Sequence, residues 1–169
     1  MKPALLALLF ATAGCGYTLA NAPPDALGPF TVRAAEATTP DAAVAAAAIE
    51  GAQRELLRAG LLSARGEGTA LTITLLRVDE RSEGVARGAG TAPIGRGIRL
   101  VIAGRATARE ADGATARDSG EITVAEVFAR SESAALGIVG RNEAAERAGR
   151  RLGERLVRRV LGEIDPGEP

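Results

Sequence analysis

The apolar positions along the chain change period several times, and each change predicts an element. From Phe30 to Ala35 the residues alternate, with Phe30 and Val32 on one side, which predicts a first strand. Thr39-Pro40-Asp41 has the form of a helix start: a hydroxyl N-cap, a proline at the first helical position and an acid in the first turn. Val44, Ala48, Ala52 and Leu56 then recur at every fourth residue, with Ile49 beside them, so the helix has one apolar face. Glu50 and Arg54 form a supporting i, i+4 pair, and Gly60 follows as the residue that ends the helix.

The strands come next. Leu61 to Ala64 has the pattern of a short strand, and Arg65-Gly66-Glu67-Gly68 of a turn. Leu71 to Val78 predicts a second strand, with Leu71, Ile73 and Leu75 on one face. The glycine-rich stretch from Ser82 to Gly97 reads as a loop carrying Arg87 and Arg96. Ile98 to Arg109 is a third strand, and Asp112-Gly113 is a two-residue hairpin signal leading into a fourth strand that ends near Phe128. A final helix runs from Glu143 to Leu161, capped by Asn142 and ended by Gly162. Ala144, Ala148, Leu152, Leu156 and Val160 repeat along it, flanked by Val157 and Leu161. The predicted class is α+β, in the order strand, helix, three strands, helix, with one extra short strand at Leu61. There is no internal repeat.

A two-residue turn at Asp112-Gly113 sets a register. Ile98, Leu100 and Ile102 then lie opposite Val127, Ala125 and Thr123, on the face that should meet the helices. The other face would carry Val101 and Ala103 beside Val124 and Ile122, with Arg99 opposite Glu126. Such a face is more apolar than water requires, so it is either covered by a partner or simply a modestly hydrophobic exposed sheet.

Ahead of the first strand, Lys2 precedes an apolar run from Ala4 to Ala11 that contains Leu5, Leu6, Leu8, Leu9 and Phe10. The run is too short for a bilayer span, which needs roughly 20 residues, and has the form of an export signal. Thr12-Ala13-Gly14-Cys15 resembles a bacterial lipobox, with Thr12 at a position usually held by Leu. The resemblance implies cleavage before Cys15 and acylation of that cysteine; the alternative is an ordinary signal peptide followed by an incidental thiol. Gly16, rather than Asp, at the second position of the mature chain implies the outer membrane. The organisation expected is thus a signal peptide over 1–14, a lipidated tether over 15–28 with Pro23, Pro24 and Gly28, one domain over 29–164 and a tail over 165–169.

Composition narrows the chemistry. The chain of 169 residues has 21 basic and 21 acidic side chains, no His, no Trp and a single Cys. Without histidine there is no imidazole base or ligand, and one cysteine makes neither an intramolecular disulfide nor a CxxC centre. Lys2 is the only lysine, and cleavage before Cys15 would remove it. No pair of carboxylates can be placed as acid and base. The balance of charge also argues against a nucleic-acid partner. We therefore expect no enzyme, no metal and no cofactor.

Two further motifs have bland and functional readings. Arg151, Arg155 and Arg159 lie at i, i+4, i+8 on the last helix without an acid at matching spacing, whereas Glu146 can pair with Arg150 and Glu154 with Arg158. The ridge is either a solvated face, favoured near a helix C-terminus, or a surface for an anionic partner. Gly88-Ala89-Gly90 lacks the following lysine and the strand-to-helix context of a phosphate loop, and is rejected as one.

The start Cys15-Gly16-Tyr17-Thr18-Leu19 resembles the Cys-Gly-aromatic-x-Leu start of the LptE family of lipopolysaccharide-assembly lipoproteins. Val127-Phe128-Ala129-Arg130, then Ala134-Ala135-Leu136 and Arg141-Asn142-Glu143 before an Ala/Leu/Arg-rich helix, are similar to the same family. The resemblance implies the fold, two helices packed on one face of a small mixed four-stranded sheet. It also implies an outer-membrane, lipid-anchored, periplasm-facing protein that plugs the β-barrel LptD, helps it assemble and contacts lipopolysaccharide. It implies Arg87 and Arg141 as the lipopolysaccharide contacts. The alternative is another periplasm-facing lipoprotein, such as a transporter auxiliary subunit or a small-ligand-binding module.

Overall fold

The computed structural model describes residues 28–35, 41–87, 93–110, 113, 115–131 and 133–163. Its elements are β1 (Phe30–Ala34), α1 (Ala42–Arg58), β2 (Thr69–Arg87), β3 (Pro93–Arg109), β4 (Thr115–Ala129) and α2 (Ala134–Leu161). The strands form one sheet in the order β1-β2-β3-β4, with β1 parallel to β2 and the other pairs antiparallel. Both helices cover one face, as the family resemblance implies. The Leu61 segment contributes only a single parallel bridge, Phe30 to Leu62.

The core is built from the positions that periodicity selects, plus small residues that let the helices approach. Val44, Ala48, Ala52 and Leu56 of α1 and Ala144, Ala148, Leu152, Leu156 and Val160 of α2 are all buried against Leu71, Ile73, Leu100 and Ile102. Between the helices, Gly51, Gly149 and Gly153 take the contact. A methyl group on Gly149 would lie 2.8 Å from the Ala47 Cβ and 2.8 Å from the Val44 carbonyl oxygen. On Gly51 it would run into the Arg150 carbonyl, and on Gly153 into that of Ala48. Backbone therefore packs on backbone, and glycine is the residue that permits it.

Both helices stop as predicted. Gly60 and Gly162 adopt φ of +72° and +84°. After α1, Leu61 N–H donates to Leu56 O (2.8 Å) and Gly60 N–H to Leu57 O (3.0 Å). After α2, Glu163 N–H donates to Arg158 O (2.8 Å) and Gly162 N–H to Arg159 O (3.1 Å). Both patterns are the paired bonds of a glycine-terminated helix. The starts differ from prediction. Asp41, not Thr39, caps α1, accepting from Ala43 N (3.0 Å) and Val44 N (3.2 Å); Thr39 and Pro40 lie outside the described residues. α2 begins after Ser133, more than two turns before Asn142. Ala134–Gly140 holds no proline, but Gly137 and Gly140 and the absence of polar positions give it no helical periodicity.

Two sheet predictions fail for one reason each. The expected Ser82–Gly97 loop is mostly paired backbone: β2 continues to Arg87 and β3 starts at Pro93. Register shifts at Glu83/Val85 and Val85/Arg87 absorb the irregular sequence, since backbone pairing does not itself require apolar alternation. Gly88-Ala89-Gly90 lies outside the described residues.

The β3–β4 register is as predicted at Thr107–Asp118 and Ala108–Arg117, is irregular next to the turn, where Arg109 pairs Thr115, and shifts by one before Arg105 pairs Glu121. The bulge is Ser119-Gly120 opposite Ala106. Gly120 takes φ +69°, Ser119 Oγ accepts from Ala106 N (2.8 Å), and Asp118 Oδ1 accepts from Gly120 N (2.8 Å). One extra residue turns every later side chain over. Ile98 thus pairs Phe128, Leu100 pairs Glu126 and Ile102 pairs Val124, so Ile122, Val124 and Phe128 join the core. The outer face then carries Val101, Ala103, Thr123, Ala125 and Val127 among ion pairs, including Arg77–Glu121 (3.3 Å), Arg99–Glu83 and Arg105–Asp118. The predicted Arg99–Glu126 pair does not form, and the second face is not the apolar sheet expected from the straight register.

Candidate functional site

The bulge that puts Phe128 under α2 also builds a groove there. Ile98 and Phe128 are ladder partners at the end of the three-stranded part of the sheet. The early turns of α2 pass over them, leaving an open groove of about 220 Å³. Ile98, Phe128, Ala134, Gly137 and Ile138 supply its apolar lining; Glu80, Arg130, Ser131 and Arg141 supply the polar part.

This end of α2 is unusual for a soluble helix. Ala134 to Gly140 contains no charged or polar side chain, yet Leu136, Ile138 and Val139 are 65%, 60% and 53% exposed. The apolar periodicity predicts a helix only from Glu143, so this stretch lies outside every predicted element. The signal available was seven successive uncharged residues between Ser133 and Arg141, too many for a solvated connection.

Arg141 stands at the groove and is held on both sides. Its Nε donates to Glu80 Oε1 (2.6 Å) on β2, and its Nη2 to Asp41 Oδ2 (2.9 Å) at the cap of α1. Burial tends to raise the Asp41 carboxyl pKa, but the Arg141 bond and the Val44 and Ala43 amides outweigh it and hold it below its ordinary 3.8. The guanidinium thereby joins three elements. Arg130 is exposed and has no ion-pair partner among the described residues.

The other predicted residues are dispersed. Arg87 is the last residue of β2, paired with Pro93 of β3, and not in a loop. It lies seven residues beyond Glu80, or roughly 20 Å along the strand from where Arg141 bonds. Arg87 is therefore not in one site with Arg141. Arg151 is not the unmatched cation its helix spacing predicts: with Arg147 it binds Glu126 of β4 (3.2 and 3.1 Å), which the bulge has turned toward the helix. Arg155 and Arg159 also have interaction partners within the molecule. Arg158 donates to Glu55 of α1 (2.8 Å), and Arg150 keeps its predicted neighbour Glu146 (3.6 Å). Of the ridge, Arg151 is thus clamped to the sheet through Glu126. Cys15 lies outside the described residues. No helix among the described residues is long and apolar enough to cross a membrane.

No family model and no curated protein sequence matches the chain. Among solved structures, one similar protein is from Caulobacter crescentus CB15 and carries the description "putative lipoprotein" (TM-score 0.54, 12% identity, covering 78% of this chain and 88% of that one). Another is a minor lipoprotein from Acinetobacter baumannii (TM-score 0.53, 11% identity, covering 82% and 94%). At these identities the likeness concerns the fold, which this chain shares over most of its length with both.

Proposed function

We propose that this chain is an outer-membrane lipoprotein of the LptE kind, anchored through Cys15, which supports assembly of the LptD barrel and plugs it during lipopolysaccharide transport. The observation that carries the reading is the combination of a lipobox-like start at Thr12-Ala13-Gly14-Cys15 with two helices on one face of a β1-β2-β3-β4 sheet. Two proteins that share this fold are themselves described as lipoproteins, which supports the anchor. A scaffold requires no catalytic group, in keeping with a chain without histidine. Acylation supplies several buried chains, and one chain alone gives only marginal membrane binding.

The test is depletion in the native host, with surface lipopolysaccharide and co-purifying outer-membrane barrels as readouts. Loss of surface lipopolysaccharide and recovery of a barrel partner are expected; normal export and no barrel would refute the reading. Cys15→Ala should abolish acyl labelling, and persistent labelling would refute the anchor. The groove beside Phe128 favours a second reading, a periplasm-facing lipoprotein that takes a small ligand, and the same depletion separates the two.

A further inference from the structure

The glycines of α2 fall into two kinds. Gly149 and Gly153 sit where the α1 backbone leaves no room for a side chain. Gly137 and Gly140 do not. A Cβ on Gly137 would meet nothing within 4 Å, and one on Gly140 would touch only Phe128, at 3.9 Å. Glycine weakens a helix relative to alanine, and close packing does not call for it at either position. What an absent side chain at Gly137 does is leave the groove over Ile98 and Phe128 open.

We propose that this groove binds one acyl chain of an anionic phospholipid, with the phosphate at Arg130. The apolar lining suits a hydrocarbon chain, and Leu136 and Val139 offer apolar surface beyond the groove. Of the two cations in the lining, Arg141 is committed to Asp41 and Glu80. Arg130 is the one left for a headgroup, through a charge-assisted hydrogen bond. Glu80 in the same lining disfavours a polyanion and suits a single phosphodiester. A second copy of the chain does not fit. A stable dimer buries on the order of 1,200–2,000 Å², far more than three exposed side chains offer. The site does not depend on a barrel partner, so it stands or falls apart from the function proposed above.

The test uses the mature chain from Cys15 onward with Cys15→Ser, which separates the outcome from acylation. The probe is lysophosphatidylglycerol with a 12-carbon chain, titrated calorimetrically below its micelle concentration. Saturable binding of one lipid per chain is expected. Gly137→Leu, which fills the groove from a position with open space around it, should weaken binding tenfold or more without lowering Tm. Ile138→Gln, at an exposed position, should weaken it in the same direction. Arg130→Glu should remove the preference for this probe over lysophosphatidylcholine of the same chain length. No saturable binding by the unsubstituted chain, equal binding by Gly137→Leu, or an unchanged headgroup preference in Arg130→Glu would each overturn the proposal.

Discussion

Gly153 on α2 faces the carbonyl oxygen of Ala48 on α1 with no space for even a methyl group between them. The helix pair is thus set by backbone contact, and any side chain there must push the helices apart.

Gly153→Ala should destabilise the fold by about 1–3 kcal/mol, the usual cost of overfilling a packed site, although alanine is the better helix former. Gly137→Ala, in open space on the same helix, should be neutral or stabilising by up to about 1 kcal/mol. Urea midpoints of the two variants check this; equal effects would contradict the packing.

Glu55 is a buried carboxylate, accepting from Arg58 (2.6 and 3.0 Å) and from Arg158 across the helix pair (2.8 Å). Burial pushes its pKa up, but the hydrogen bonds from the two arginines prevail and hold it below the ordinary 4.5. A carboxyl with a depressed folded pKa contributes stability above its unfolded pKa and loses it as pH falls through the folded one. Stability should therefore decline as pH drops below about 4.5, with Asp41 adding to the decline in the same sense. Glu55→Gln should cost about 1.5–3 kcal/mol at neutral pH and flatten that decline. Denaturation midpoints from pH 7 to pH 3 measure both.

The register of β4 rests on the Ser119-Gly120 bulge. Gly120→Ala places a Cβ at φ +69° and should cost about 1–2 kcal/mol. Ser119→Ala removes the oxygen that accepts from the buried Ala106 amide, at about 1–3 kcal/mol. Thermal unfolding of each variant reads the loss; no change in either would place the register elsewhere.

Arg141 joins Asp41 and Glu80, so its removal has a structural effect separate from any lipid contact. Its pairs are partly solvated, and Arg141→Ala should cost about 0.5–1 kcal/mol. Asp41→Ala, which also removes the α1 cap, should cost about 0.5–2 kcal/mol. In a double-mutant cycle the pair should couple; full additivity would show that the ion pair contributes nothing. Arg141→Lys keeps the charge but not the two-armed geometry, and separates charge from placement in any lipid assay.

Local physics made much of this protein legible from its residues. The fourfold repeat of Val44 to Leu56 and of Ala144 to Val160, and the terminal Gly60 and Gly162, follow from helix geometry and backbone conformation within a few residues. The strand-rich middle follows from the same short-range patterns, whereas the mixed sheet is expected only from the family resemblance, because the parallel β1–β2 pairing joins residues about 40 positions apart. The tertiary structure decided what depends on partners distant in sequence. A single extra residue at Ser119-Gly120 chose which face of β4 met the helices, and no alternation pattern within β4 could distinguish the two. The same turn of β4 brought Glu126 to Arg147 and Arg151, so an apparently unmatched arginine became part of a clamp. The β2–β3 arm formed through backbone pairing, which the apolar pattern does not encode. The groove over Phe128 exists only because the β3–β4 ladder ends where the uncharged first turns of α2 pass, and that meeting is set by packing across the sheet.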